Sequence, residues 1–341
     1  MTRCSHPISM MLAWAMIATG VTHAAPPRPD VQRQRLVLLG TGGGPLLRTA
    51  RAQSSAALDL PQGVLLIDAG EGCLERMTEA RIPPSRIRAI LITHLHADHV
   101  SALWSVLLHR WLAHAPDRLE IVGPPGTKAL VDALERAAEP VVRASRALGA
   151  GTTSLASLID VRESSSFIEG RFELSSFPDV HFRWVENSHL DADRDPGALE
   201  PSSLAYRLDA ENWSILATGD TGPSSSVETL GRGVGVMVGE VVDVDAAMVA
   251  ARGSLHLSPE NYNHLLSRMA AGHLSPPMLG AMAAAIEPRM LLVSHIAPGT
   301  QTPSRVGDQV LAKSIAKRFK GPIVVARDLT TIDLVTLERV R

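Results

Sequence analysis

The sequence predicts an α/β fold on three observations. Short β-type runs and helical stretches interleave from residue 34 onward. Hydrophobic residues make up 45% and charged residues 20%, without a long low-complexity stretch, so disordered and fibrous architectures are excluded. The 341 residues give room for a sizeable core. β-type runs fall at 36–39, 55–60, 64–68, 89–93, 119–123, 181–185, 204–208, 214–218, 234–240, 290–294, 323–326 and 331–335. Helical periodicity covers 72–80, 99–112, 127–138, 259–271, 276–286 and 305–319. Glycine and polar residues mark loops at 42–44 and 191–197, and the Ala/Gly/Ser-rich stretch 144–158 reads as a flexible insertion. One tetrapeptide recurs, His256-Leu257-Ser258-Pro259 and His273-Leu274-Ser275-Pro276. In each copy Ser is a good helix N-cap and Pro is preorganised for the first helical position, so two similar helix starts are expected.

The balance of 33 Lys+Arg against 35 Asp+Glu leaves a net charge of −2, with no bulk electrostatic reason to expect a nucleic-acid binder. Residues 1–24 have the pattern of a secretory signal: Arg3, an apolar run over 8–21, and a small-residue end at Ala24. The run is shorter than the ~20 residues of a membrane span, which favours cleavage over anchoring. The expectation is therefore an exported protein, periplasmic or secreted, with one domain over 25–341 and no stable membrane span after cleavage. Cys4 would leave with the signal, and Cys73 alone forms no internal disulfide.

The strongest chemical signal is Thr93-His94-Leu95-His96-Ala97-Asp98-His99, which follows the apolar run Ile90-Leu91-Ile92. In near-extended chain, His94 and His96 point to one side. Asp98 and His99 fall on the next turn, where the chain reverses and aims them back across the same space. Neutral imidazole and carboxylate suit zinc and similar borderline metals, so one short segment has ligands for two neighbouring ions.

His-x-His-x-Asp-His after a β-strand resembles the signature of the metallo-β-lactamase superfamily. Four further motifs resemble that superfamily's in order: Asp68-Ala69-Gly70-Glu71-Gly72, Ser188-His189, Thr218-Gly219-Asp220 and Ser294-His295. The resemblance implies a four-layer αββα sandwich of two mixed sheets flanked by helices, and two metal ions per protomer. It puts His94, His96 and His189 on one ion, Asp98, His99 and His295 on the other, with Asp220 bridging and Asp68 holding the ligand loop from behind. Zinc is the default metal, with manganese or iron compatible with the same ligands. Such a site implies a hydrolase in which a bridging hydroxide, oriented by Asp98, attacks the substrate.

Within the superfamily, the bridging Asp220 resembles the phosphodiesterase, RNase Z-like, arylsulfatase-like and lactonase branches. Leu38-Leu39-Gly40-Thr41-Gly42-Gly43-Gly44-Pro45 resembles the opening of RNase Z-like proteins, and Glu240 with His273 resembles their Glu/His pair. There the pair protonates the leaving group, as expulsion of an alkoxide requires. His256 is the rival for the acid role, and its distance from His295 fits the resemblance less well. The 31-residue interval from His189 to Asp220 is too short for the clamp arm that bacterial RNase Z inserts there. This, with export and the near-neutral charge, argues against a transfer-RNA substrate. A small or moderate-sized phosphodiester, sulfate ester or other ester is expected, and the resemblance allows a homodimer. Two alternatives are a ring-opening lactonase or β-lactamase-type hydrolase, in which His273 matters less, and a non-catalytic exported metal-binding protein.

Overall fold

A computed structural model describes residues 34–146, 153–164, 169–191, 202–254, 256, 258–298 and 305–341. The expected signal 1–24 and most of the 191–197 loop lie outside them. The strands are β1 (Arg35–Gly40), β2 (Ser55–Leu60), β3 (Gly63–Ile67), β4 (Ile87–Leu91), β5 (Leu119–Gly123), β6 (Ile159–Glu163), β7 (Glu169–Phe172), β8 (His181–Glu186), β9 (Leu204–Asp209), β10 (Ser214–Ala217), β11 (Val236–Val242), β12 (Met290–Ala297), β13 (Ile323–Val325) and β14 (Thr330–Asp333). They form two seven-stranded sheets, ordered β14-β1-β2-β3-β4-β5-β6 and β13-β12-β11-β10-β9-β8-β7. Both are mixed: β3 to β6 and β10 to β13 run parallel, and the remaining neighbours antiparallel.

The helices are α1 (Cys73–Glu79), α2 (Ala97–Val100), α3 (Leu103–Leu112), α4 (Thr127–Arg146), α5 (Ser225–Gly231), α6 (Val244–Ser254), α7 (Pro259–Gly272), α8 (Pro276–Ile286) and α9 (Arg305–Ile315). Alternation along β1 explains the layering. Leu36 and Leu38 enter the core between the sheets, with Leu58, Phe182 and Tyr206, whereas Val37 and Leu39 pack outward with Met77, Leu103 and Val131. On the far side, Leu216, Met237 and Leu291 meet Leu279, Met282 and Ile315. The result is the αββα sandwich, with sheet strands buried on both faces. Among the described residues, no helix is long and apolar enough to cross a membrane.

Several expectations change. The helix expected over 99–112 is two helices, because the chain after β3 bonds into the break: Ala69 N–H donates to the His99 carbonyl (2.7 Å) and Ala102 N–H to the Ala69 carbonyl (2.9 Å). α4 continues through Pro140 to Arg146 rather than stopping at 138, since Val131, Ala138 and Val142 keep one face buried. It thus removes the start of the expected flexible insertion, whose end is a 3₁₀ turn at Ala156–Leu158. Strands β6 and β7 and helices α5 and α6 are elements beyond those expected. Of the repeated helix starts, Ser258 caps α7 by accepting the Asn261 N–H (3.2 Å), while Ser275 makes no side-chain cap bond.

Gly70 is where the loop after β3 touches the ligand segment: a Cβ there would collide with the Asp98 carbonyl and stand 2.8 Å from Gln53. Gly70→Ala is expected to cost about 1–3 kcal/mol in chemical denaturation. A change below about 0.5 kcal/mol would show that the contact is not tight.

Candidate metal centre

The site is built where strands from both sheets end. After β4, Thr93 turns away from the sheet, and Asp68, in left-handed backbone at φ 60°, holds it. The Asp68 carboxylate accepts the Thr93 N–H (2.8 Å), the Thr93 hydroxyl (2.9 Å) and His99 Nδ1–H (2.7 Å). That last bond fixes the His99 tautomer and leaves Nε2 facing the site. His189 is held the same way: Nδ1–H donates to the Gly272 carbonyl (2.8 Å), and the backbone N–H donates to Asn187 Oδ1 (3.1 Å).

β11 and β12 deliver the rest through a bulge. Gly239 pairs with Val293 but Val241 pairs with Ile296, so Glu240 alone faces Ser294 and His295. His295 takes φ 42° and turns its ring inward, and β12 therefore continues to Ala297, beyond the expected end at 294. Asp220 follows β10 by three residues.

Two donor groups result. His94 Nε2 and His96 Nδ1 lie 3.0 Å apart, and His96 Nδ1 and His189 Nε2 3.2 Å apart. Beside them, Asp98 Oδ2 lies 3.2 Å from His295 Nε2 and 3.7 Å from His99 Nε2. Asp220 faces both groups, 3.9 Å from His94 and His189 Nε2, 3.4 Å from His99 Nε2 and 3.2 Å from His295 Nε2. His273 joins from the C-terminal end of α7, its Nδ1–H donating to both Glu240 oxygens (2.9 and 3.0 Å). Its ring meets that of His189 edge-on and lies parallel to that of His295. His256 is exposed between α6 and α7. All of these side chains are buried except those of His96, which faces the opening, and His256.

The donors fit metal. Two nitrogens on one tetrahedral zinc, with bonds of about 2.0–2.1 Å, stand about 3.3 Å apart, close to the separations in both groups. His99 Nε2, Asp220 Oδ1 and His295 Nδ1 are buried without a hydrogen-bond partner, and the first two face the centre. His94, His96 and His189 form one possible metal-holding group, and Asp98, His99 and His295 another. Three supporting groups have roles that the sequence does not assign. Thr93 and Asn187 fix the ligand backbones, and Gly44 N–H donates to Asp98 Oδ2 (2.8 Å).

The two groups differ in charge. Burial pushes His94 well below the usual imidazole range, lowers His96, and brings His189 down to about 4. Burial acts the same way on His99 and His295, but carboxylates outweigh it. Asp220, Asp68 and Asp98 raise His99 well above its ordinary value, and Asp220, Asp98 and Glu240 raise His295 to about 10. Burial would raise Asp98 and Asp220, yet the histidines beside them hold both well below the carboxylate range.

In the metal-free protein at neutral pH, His94, His96 and His189 therefore present neutral nitrogens, while His99 and His295 carry protons that a metal must displace. Calorimetry in buffers of different ionisation enthalpy is expected to show little proton release with a first zinc equivalent and about two protons with a second. Equal release by both would contradict this. The linked stability has a definite sign, because His295 lies at about 10 when folded against ~6.5 unfolded. Its contribution is full below about pH 6.5 and is lost as pH rises through about 10, so the metal-free protein should weaken between pH 7 and 10.

Comparison with known proteins bears on this geometry. The family model described as "Anti-Pycsar protein Apyc1" matches residues 34–236, more than half of the chain. A ribonuclease Z from Mycobacterium avium is 28% identical over 304 residues, covering 88% of this chain and 98% of the relative. Among solved structures, the metallo-β-lactamase fold protein YhfI from Bacillus subtilis superposes with a TM-score of 0.60 at 14% identity, covering 87% of this chain and 98% of YhfI. Zinc-bound PqqB from Methylobacterium extorquens superposes with a TM-score of 0.58 at 16% identity, covering 88% of this chain and 100% of PqqB. The chain belongs to the family described as the anti-Pycsar protein Apyc1, and is a hydrolase of the metallo-β-lactamase superfamily.

Proposed function

We propose that the chain is a dinuclear metal-dependent hydrolase of ester bonds, and that its substrate is a small or moderate-sized phosphodiester. The observation that carries the reading is the His273–Glu240 pair set against the ligand cluster, with His189, Asp220 and His273 offering donor atoms within 4.8 Å of one another. The match to a relative named ribonuclease Z, a name that denotes cleavage of RNA, supports phosphodiester chemistry. Zinc is the metal we propose, on the imidazole-rich donor set and the zinc of the structural neighbour PqqB.

Divalent ions held by the two donor groups would supply Lewis acidity and lower the pKa of bound water. The chain's own residues do the rest. Gly44 N–H fixes the Asp98 carboxylate, so that its oxygen keeps one orientation toward the centre. Asp220, held among four imidazoles, sets the spacing of the two groups. His273 gives its Nδ1–H to Glu240 and keeps Nε2 for the departing oxygen. Burial works against a charged His273, but Glu240 raises it above its ordinary value, which favours the protonated form that a general acid uses. Glu240 in turn accepts the Thr221 N–H at 2.7 Å, which keeps its carboxylate turned to His273.

A leaving-group series tests the acid. With alkyl leaving groups, His273→Ala is expected to lower kcat about 10²–10³-fold. With 4-nitrophenolate, which leaves without a proton, kcat should stay near wild type. An equal loss on both would remove His273 from the acid role. Asp220→Ala should abolish turnover and reduce bound metal. Turnover of a chromogenic cephalosporin, with none of bis(4-nitrophenyl) phosphate, would overturn the phosphodiesterase reading.

A further inference from the structure

A phosphodiester is an anion, and the donor cluster contributes carboxylates of its own, Asp98, Asp220 and Glu240. The glycine-rich segment after β1 carries a guanidinium on this side of the cluster. Beyond Gly44, whose N–H holds Asp98, the chain makes a tight turn in which Arg48 and Arg51 form an isolated bridge. Arg48 lies half-buried on that turn and donates from one nitrogen to the carbonyl of Ile296 (3.0 Å), the residue after the ligand His295.

Its surroundings leave it otherwise unused. The charge of Asp98 reaches it, and among the described residues no carboxylate comes within ion-pairing distance. The other two arginines of the same wall are committed. Arg51 is buried and donates to Thr41 and to the Ala326 carbonyl, and Arg76 pairs with Asp328 (3.0 Å). A guanidinium has five N–H donors in a planar fork suited to phosphate, and Arg48 commits one to the protein. It also borders a groove of about 480 Å³ whose other walls include Leu47, Arg51, Glu71, Glu75 and Arg76 and none of the cluster's donor residues.

We propose that Arg48 binds the anionic phosphoryl oxygen of the substrate beside the metal centre and so sets the preference for anionic over neutral esters. This rests on the phosphodiesterase reading above. Anchored at Ile296, the side chain loses little freedom on binding.

The test uses the full chain loaded with zinc, with Arg48→Ala and Arg48→Lys, and inorganic phosphate as the probe. Arg48→Ala should retain its metal content yet bind phosphate at least about tenfold more weakly by calorimetry, and Arg48→Lys should recover part of that loss. For bis(4-nitrophenyl) phosphate, KM should rise by a similar factor while kcat changes less. Phosphate affinity equal to wild type, or a loss of zinc in both variants, would overturn the proposal. Absence of phosphodiester turnover by the wild-type protein would instead defeat the functional reading, and the phosphate affinities would still decide the role of Arg48.

Discussion

A buried carboxylate surrounded by imidazole nitrogens governs this molecule. Asp220 lies 3.2–3.9 Å from the Nε2 atoms of His94, His99, His189 and His295, and it is 3% exposed. Burying one carboxylate is costly unless positive charge or hydrogen-bond donors compensate it. Several of the nitrogens around it also face one another at 3.0–3.2 Å with only one possible proton between them. Added positive charge stabilises such a cluster. Protons on His99 and His295 supply some of it in the metal-free chain, and divalent ions would supply more.

The fold is arranged to hold that cluster open. Asp68, the Gly272 carbonyl and Glu240 face the imidazoles from behind, so His99, His189 and His273 each have one nitrogen committed outward and one turned to the centre. Glycine permits the close approach of the walls: a Cβ at Gly43 would stand 2.6 Å from the His295 ring. Asp328 pins the same loop by accepting N–H donors from Thr41 and Ala52 and the guanidinium of Arg76. The wall that carries Gly44 and Arg48 is thus braced from β1, α1 and the turn before β14 at once.

Most of the framework is legible in the sequence because its strands are dense in Leu, Ile and Val and its ligands are crowded into one hexapeptide, His94 to His99. His189, Asp220 and His295 are reached only through the resemblance of their short motifs to those of the superfamily. What stays hidden depends on contacts between distant segments. The break between α2 and α3 follows from backbone bonds with Ala69, which no local pattern announces. The bulge that places Glu240 opposite His295 is a register event, invisible to periodicity. Thr93, Asn187, Gly44 and Arg48 are ordinary residues whose importance lies in what they touch. His256 and His273 share a tetrapeptide, and only the chain's path separates the exposed one from the one beside Glu240.

The central claim, that the cluster is a two-ion centre organised around Asp220, is tested most directly by anomalous diffraction at the zinc edge from crystals of the zinc-loaded protein. The account predicts two peaks, one among His94, His96 and His189 and one among Asp98, His99 and His295, with Asp220 between them. A single peak, or two that leave Asp220 without contact to either ion, would contradict it.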